Sequence, residues 1–425
     1  MSAFYSSISY LSRFFQKIFR KSLLFSIIFS IGRFIENQWV NSYFKSLYPG
    51  KDFLSILKQN NIFKNHIFAP LVVIFVFTIF LLLSFNPVSN DLILNIAIGF
   101  LGFLVGSMII PSYFFKSNQN NFIKFNKDDI YSIGFCLVLI GVIFFFLSIA
   151  SVGGIPLLKP SLRYLLKPIL TMPVFLMIPG IGLMFSAYLD DFKEKIISRS
   201  QIRFRFLFLT SLISFLLFAL GYRTPIIAIL LIAIIMGYYG KILEVWEVIL
   251  GALSGVGLII GIGYFRSLGE LTISSSTNPF YSLQSRADFT LHVLNLLNQI
   301  AGSAQGEVIL NTIPGSELGP RMTIGKLIAW RTEVTVTPTL IGQMIADFGK
   351  LGVAIGMGFL GFILGMGYKL LKLTKDSLYI AVYAIILTYT ILGVETGILD
   401  IQVIFYFILG FLLYLANILR NMHKN

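Results

Sequence analysis

Basic residues that lie beside long apolar runs are the side chains of this chain best suited to chemistry. The segment 151–168, SVGGIPLLKPSLRYLLKP, contains three cations and no acid. Its prolines suit the start and the stop of a short helix, on which Lys159, Arg163 and Lys167 would be spaced four residues apart on one face. Like charges at this spacing repel, so the pattern predicts a polyanion such as pyrophosphate bound against that face. The alternative is that the three cations extend to lipid headgroups.

A fourth cation, Arg223, lies in the tight turn GYRTP between two apolar runs. Thr224 is placed to cap the following helix, and Pro225 suits the first turn of that helix. An arginine close to the membrane core is costly unless it is paired, so this position is predicted to be functional. Extension of the side chain to the headgroups is again the alternative.

The largest polar stretch of the chain is 265–337. Within it, SRADFTLHVLNLLNQIAG has the pattern of an amphipathic helix, with Arg286, Asp288 and His292 near its N-terminal end. Asp288 and His292 are one helical turn apart, so an imidazole oriented by a carboxylate and acting as a base is one hypothesis. An interfacial helix that only carries charge is the other. No metal site is expected, because the chain has three histidines and the other two are predicted on the opposite side of the membrane.

More arginines and acids follow in the same stretch. Arg321 and Arg331 are predicted to lie near Glu317 and Glu333. No Ser-His-Asp order, P-loop or haem-binding pair is recognisable beside them. Three further acids, predicted on the same side of the membrane, are Asp347, Glu395 and Asp400.

The amino-acid composition indicates which kind of secondary structure holds these residues in place. The chain is 56% hydrophobic and 12% charged, with a mean hydropathy of +0.84, which excludes a soluble globule. Its long apolar runs show no period-two alternation, so the membrane-crossing segments are predicted to be helices. The single cysteine, Cys136, excludes a disulfide framework. The predicted fold class is therefore all-α, a polytopic transmembrane helical bundle.

Ten apolar runs are candidate spans. Two of them, 206–220 and 225–239, are short for a hydrocarbon core about 30 Å thick and are predicted to be tilted or incomplete crossings. The ten runs lie near 68–86, 92–114, 130–149, 169–188, 206–220, 225–239, 248–264, 350–368, 377–394 and 401–419.

Most of the 33 Lys and Arg residues fall between these runs on one side, which predicts that both termini are cytoplasmic. No removable signal peptide is recognisable. Serines and cations mixed with Phe, Ile and Leu predict amphipathic helices on the inner leaflet at the N-terminus, with an extra span around 22–35 as the alternative. The predicted organisation is a basic N-terminal region 1–65, a membrane region 66–264 with seven spans, an outer loop 265–337, and a membrane region 338–425 with three spans.

Several stretches resemble the oligosaccharide repeat unit polymerases, the Wzy-like O-antigen polymerase family. They are GGIPLLKPSLRY, GYRTPI, SRADFTLHVL, and GPR followed by TPTLIGQMIADFGKLG, and they span roughly 150–368. Four residues match arginine-bearing motifs of the family: Arg163, Arg223, Arg286 and Arg321.

The resemblance implies a fold similar to the GT-C glycosyltransferases and an enzyme that joins repeat units carried on polyprenyl pyrophosphate at the outer face of the cytoplasmic membrane. It implies no cofactor, no metal and no nucleic acid; the partners are the lipid-linked oligosaccharide, membrane lipid and other polysaccharide-assembly proteins. The family's general base does not carry over, so the base is left open among His292, Asp288, Glu307, Glu317, Glu333 and Asp347.

The predicted site has two parts, and two other functions compete with the polymerase. A flippase or other transporter of lipid-linked oligosaccharides is one alternative, although no clear internal repeat is present. An O-antigen ligase-like transferase with a different acceptor is the other. The predicted catalytic residues are Arg223, Arg286, Asp288, His292 and Arg321, and the predicted substrate-binding residues are Lys159, Arg163, Lys167 and Arg331.

Overall fold

The computed structural model describes residues 67–85, 87–114, 122–269, 279–313, 316, 318–329, 335–374 and 376–422. The chain divides into two compact units, Met1–Ala69 and Pro70–Asn425. The predicted amphipathic region 1–65 lies outside the described residues. The described part of the chain is helical and contains no strand, so the predicted all-α fold class is confirmed.

The first part of the second unit is a series of apolar helices joined by short connections. A π-helical turn, Val105–Ile109, joins α2 to α3, and 3₁₀ turns lie at Pro160–Leu165 and Met172–Leu176. The helices are α1 (Val72–Leu82), α2 (Asn90–Leu104), α3 (Ile110–Phe114), α4 (Lys127–Val152), α5 (Pro168–Thr171), α6 (Met177–Lys193), α7 (Arg199–Ala219), α8 (Arg223–Tyr239) and α9 (Val245–Gly269).

The second part begins with shorter helices and ends with three long ones. The predicted outer loop 265–337 is largely helical where it is described, because α9 extends into it and three further helices follow. The helices are α10 (Pro279–Gln299), α11 (Glu307–Leu310), α12 (Pro320–Ala329), α13 (Thr339–Thr374), α14 (Ser377–Thr396) and α15 (Ile401–Met422).

Seven helical stretches in the described residues are long and apolar enough to cross a membrane. The other three of the ten predicted runs fall on shorter apolar helices, namely α1, α8 and the Val245–Gly257 part of α9. The chain is thus a multi-pass membrane protein. The seven stretches are Asn90–Ser112, Lys127–Val152, Pro168–Lys193, Arg199–Ala219, Thr339–Thr374, Ser377–Thr396 and Ile401–Arg420.

Glycines allow the long helices to pack with their backbones close together. A Cβ at Gly134 of α4 would lie 2.8 Å from the carbonyl oxygen of Gly180 in α6, and a Cβ at Gly180 would lie 2.8 Å from the carbonyl oxygen of Gly134. A Cβ at Gly102 of α2 would lie 2.6 Å from the carbonyl oxygen of Ala354 in α13. Small residues at such contacts are typical of helix pairs in membranes, where dispersion forces stabilise the packing. Among the seven stretches, α14 is the most buried.

Helix α13 is kinked at Gly349, which has φ 59° and ψ −142°. The sequence predicted a span that begins near 350, and this is where the helical segment after the kink begins; a further helical segment, 339–348, precedes the kink. Other backbone groups hold this preceding segment. Ala304 donates its backbone N–H to Ala346, and the buried carboxylate of Asp347 accepts the N–H groups of Val308 and Ile309, both at 3.0 Å.

Ion pairs also lie at the end of the bundle that includes the α6–α7 and α8–α9 connections. Lys127 pairs with Asp191 and Glu194. Arg203 pairs with Glu247 at 2.9 Å and also donates to the carbonyl oxygen of Ile242. These pairs tie neighbouring helices together at the start of α4, α7 and α9.

Candidate functional site

Two arginines from different helices converge on a single carboxylate, that of Glu395. Arg223 is the first residue of α8, and its Nη2 lies 2.9 Å from Oε1 of Glu395. Arg286 lies in the first half of α10, and its Nε lies 2.8 Å from the same oxygen. Glu395 itself is the penultimate residue of α14. One acid at the end of a buried helix therefore connects the start of α8 with the first half of α10.

The third predicted arginine lies near the same turn. Arg321, in the first turn of α12, places Nη2 2.6 Å from Oδ2 of Asp400, which directly precedes α15. Arg286 extends the group toward α13 by donating from Nη2 to the hydroxyl of Thr337 at 3.2 Å. We call Arg223, Arg286, Arg321, Glu395 and Asp400 the arginine cluster. The turn between α14 and α15 supplies both of its acids.

The arginine cluster is neither fully buried nor freely solvated. The side chains of Arg223, Arg286 and Arg321 are 28%, 34% and 33% exposed. Three guanidinium groups face two carboxylates, so an anion that reaches the cluster meets a net positive site. A guanidinium group has five donors in a planar fork that matches phosphate and carboxylate oxygens, so the cluster has the chemistry to bind a pyrophosphate.

The predicted helix that would place Lys159, Arg163 and Lys167 on one face is wrong. Pro160 begins a 3₁₀ turn and Pro168 begins the separate helix α5, so the chain is helical only in short pieces. A residue before proline is kept out of the α region, and both lysines are extended, with φ/ψ of −132°/94° and −81°/122°. Both lysines are exposed.

Of these three cations, the structure connects Arg163 to the arginine cluster. Its guanidinium carbon lies 4.8 Å from the ring centroid of Tyr222, the residue that precedes Arg223. A hydrogen bond from the N–H of Leu157 to the carbonyl oxygen of Ala219 ties the same segment to the end of α7. Segment 151–168 therefore lies beside the start of α8, with Arg163 toward the cluster.

Asp288 and His292 do not form the predicted pair. Oδ1 of Asp288 accepts hydrogen bonds from Oγ of Ser84 and from the backbone N–H of Phe85, just after α1, while His292 is exposed. The Asp288 carboxylate thus satisfies donors just after the end of α1. It therefore does not orient the imidazole of His292. Asn295 adds a bond to the carbonyl oxygen of Pro87. This face of α10 therefore holds the connection between α1 and α2.

The remaining predicted residues are partly outside the described part of the chain. Arg331, Glu317 and Glu333 are among the residues that the structure does not describe, so the expected proximity of Arg321 to Glu317 stays a prediction, and the described partner of Arg321 is Asp400. Glu307 is exposed at the start of α11. Among the described residues, no three His, Cys, Asp or Glu side chains gather as a metal ion would require.

A sequence profile described as "Putative O-antigen polymerase" matches residues 66–407. The chain belongs to the O-antigen polymerase family. It is similar to two proteins of Methanocaldococcus jannaschii, both described as uncharacterised. MJ0419 is 28% identical over 84% of this chain and 94% of its own length, and MJ0420 is 27% identical over 79% of this chain and 75% of its own length. No solved structure matches the chain, so its likeness to GT-C folds remains a prediction.

The residues that match the O-antigen polymerase family include the whole arginine cluster. Sequence reasoning found its three arginines but missed that Glu395 and Asp400 are their partners. The signal was present as ILGVETGILDI, where two acids lie in a short polar turn between apolar runs. An acid at the edge of the membrane is as costly as an arginine unless it is paired, so these acids required cationic partners.

Proposed function

We propose that this member of the O-antigen polymerase family joins oligosaccharide repeat units carried on polyprenyl pyrophosphate, at the outer face of the cytoplasmic membrane. The observation that carries the proposal is the convergence of Arg223 and Arg286 on Glu395, with the pair between Arg321 and Asp400 at the other end of the same turn. The arrangement places three guanidinium groups at the turn between the membrane-crossing helices α14 and α15, and the pyrophosphate of a membrane-anchored lipid would lie at the same edge of the membrane. The asymmetry of Lys and Arg along the chain supports the outer face.

The reaction develops negative charge where the arginines can stabilise it. A hydroxyl of one lipid-linked oligosaccharide attacks the anomeric carbon of the chain being transferred. The bond from that carbon to the pyrophosphate oxygen breaks, and polyprenyl pyrophosphate departs with its electron pair. Arg223, Arg286 and Arg321 are assigned to stabilise that departing charge, since preorganised donors act most strongly where charge develops in the transition state.

Glu395 is the acid best placed to take the hydroxyl proton. Without substrate, its carboxylate is neutralised by Arg223 and Arg286. A pyrophosphate that binds these guanidinium groups competes with Glu395 for them and leaves the carboxylate beside the reacting sugar, available as a general base. The other acids are less well placed, because Asp288 accepts from Ser84 and Phe85 and Asp347 accepts from the backbone of α11.

The remaining predicted residues have supporting roles in this proposal. Arg163 reaches the cluster through Tyr222 and is assigned to the pyrophosphate, while the exposed Lys159 and Lys167 attract the anionic substrate from farther away. His292 stays a candidate proton acceptor on the exposed face of α10, and Arg331 stays a candidate binding residue.

Purified protein in liposomes, supplied with a polyprenyl-pyrophosphate oligosaccharide, tests the proposal. The expected products form a ladder on a gel, and Arg223→Ala and Arg286→Ala abolish it. Arg203→Ala is the matched control, because it breaks a 2.9 Å ion pair with Glu247 at the other end of the bundle and should keep the ladder. Unjoined substrate that only changes leaflet would instead indicate a flippase and overturn the proposal.

A further inference from the structure

A groove of about 860 Å³ runs along the bundle between α13 and α15. Its walls are apolar: Leu351, Ile355 and Phe359 come from α13 after the kink, and Ile404 and Phe411 come from α15. Leu351 and Ile355 are 73% and 72% exposed, so the groove is open at the side of a membrane-crossing helix. A hydrocarbon chain in the membrane can therefore enter it from the side.

One end of the groove is polar, because Gln305, Gln343 and Asp347 line it. The Asp347 carboxylate already accepts the N–H groups of Val308 and Ile309, whereas the Gln343 amide is unsatisfied. Gln343 lines this end and is 1% exposed. Neither Nε2 nor Oε1 of its amide has a hydrogen-bond partner among the described residues. A buried amide normally has partners on both atoms, because leaving them unpaired costs free energy. The amide is thus placed to bond to a group that a ligand brings.

The space around the amide is kept open by the backbone. Gly397 has φ 77°, and a Cβ at that position would lie 2.8 Å from Oε1 of Gln343. A side chain there would both strain the backbone and close the end of the groove. The turn that carries Glu395 and Asp400 therefore also shapes the environment of Gln343.

Gln343 connects the groove to the arginine cluster. A small cavity of about 10 Å³, roughly the volume that one water needs, has Gln343 and Leu399 in common with the groove and Arg321 on its far side. Nε of Arg321 is buried without a hydrogen-bond partner among the described residues. Two residues with unpartnered polar atoms thus line one cavity, at the point where the apolar groove ends and the arginine cluster begins.

We propose that the groove between α13 and α15 holds the polyprenyl chain of the lipid-linked substrate, and that the Gln343 amide hydrogen-bonds to the phosphate-bearing end of that chain. The inference rests on the proposed function. The chain lies along the apolar walls, Gln343 marks the passage from hydrocarbon to phosphate, and the pyrophosphate continues to Arg321. Apolar walls and polar end together match a lipid whose headgroup is an anion.

Photocross-linking of the full-length protein in lipid nanodiscs tests this site without requiring polymerisation. The probe is a polyprenyl pyrophosphate with a diazirine in its chain, and a diazirine phosphatidylglycerol represents ordinary membrane lipid. We expect the polyprenyl probe to label α13 between Leu351 and Phe359 and α15 between Ile404 and Phe411, with little competition from excess phosphatidylglycerol. Equal labelling by both probes would show an ordinary lipid-facing surface and overturn the inference.

Two variants test separately what the walls of the groove and its polar end contribute to probe binding. Ile355→Trp fills the groove from an exposed position and should lower labelling about fivefold or more. Leu412→Trp, on α15 at a residue that is also exposed but does not line the groove, is the matched control and should label like the wild type. Gln343→Leu should lower probe binding about tenfold or more, the effect of one lost hydrogen bond to a charged group.

A structural role of Gln343 would give a different result. Replacing an unpaired buried amide with an apolar side chain of similar size is neutral or stabilising, so Gln343→Leu should unfold at the same temperature as the wild type or higher while binding less probe. A lowered unfolding temperature, or unchanged probe binding, would overturn the role of Gln343. Ladders from a protein whose groove is not labelled would overturn this inference alone, whereas a labelled groove without ladders would overturn the proposed function and keep the site.

Discussion

Arg286 and Glu395, 109 residues apart in the chain, form an ion pair in which Nε lies 2.8 Å from Oε1. The same oxygen accepts from Nη2 of Arg223, which is 172 residues from Glu395. Three helices therefore meet through one carboxylate. A shared acid holds two guanidinium groups beside each other, and in the proposed function both can bind oxygens of one pyrophosphate.

Glu395→Gln removes the charge that both arginines share and keeps the size of the side chain. We expect a loss of stability of about 1 kcal/mol, since the groups are roughly one-third exposed and solvent screens them, together with a loss of polymerisation of tenfold or more. Thermal unfolding and the ladder assay measure the two effects separately. Glu247→Gln, which breaks the Arg203 pair, is the control for stability alone. Full activity in Glu395→Gln would exclude Glu395 as the base.

The pair between Arg321 and Asp400 can be reversed in a double-mutant cycle. Arg321→Asp and Asp400→Arg should each lower stability, and the double variant should recover about 0.5–1 kcal/mol of the summed loss because opposite charges again face each other. Polymerisation should not recover, because the guanidinium group now extends from the α14–α15 turn instead of from α12. Recovered activity in the double variant would show that Arg321 has only a structural role.

The three cations of segment 151–168 should differ in effect. Arg163→Ala should raise the KM for the lipid-linked substrate more than Lys159→Ala or Lys167→Ala, because only Arg163 contacts Tyr222 beside Arg223. The two lysine variants should mainly weaken the dependence of the rate on salt, since exposed charges act through long-range attraction. Initial rates at several salt concentrations measure this difference. Equal effects of all three substitutions would contradict the placement of Arg163.

Gly349→Ala tests the kink of α13. At φ 59° and ψ −142° a side chain strains the backbone, so we expect a loss of stability of about 1–3 kcal/mol and a shift of the helix before the kink. Gly255→Ala in α9 is the matched control, because a Cβ there meets open space. That control should be neutral or slightly stabilising, since alanine favours helix over glycine by about 1 kcal/mol. Unfolding temperature measures both, and a tolerated Gly349→Ala would contradict the kink.

Much of the architecture could be predicted because the bilayer restricts what a chain can do. In α4 and α14, nearly unbroken apolar runs had to become helices, since lipid offers no partner for a backbone N–H or carbonyl group. The ends of the helices were less predictable where prolines or contacts with distant segments determine them. The expected basic helix is instead a 3₁₀ turn that ends at Leu165, and the helical segment 339–348, which backbone bonds from the 302–309 segment hold, was not predicted.

The sequence by itself determined that the protein is a helical membrane protein and that Arg223, close to the membrane core, is a costly charge in need of a partner. It also identified Arg286 and Arg321 as candidate site residues. Only the tertiary structure decided which partners the three arginines have. Glu395 and Asp400 lie far from the arginines along the chain, and the one-turn spacing of Asp288 and His292 could not show that Asp288 bonds to Ser84 and Phe85 instead. An ion pair depends on distances of a few ångströms, and these are set by how separate helices pack rather than by the spacing of residues within one helix.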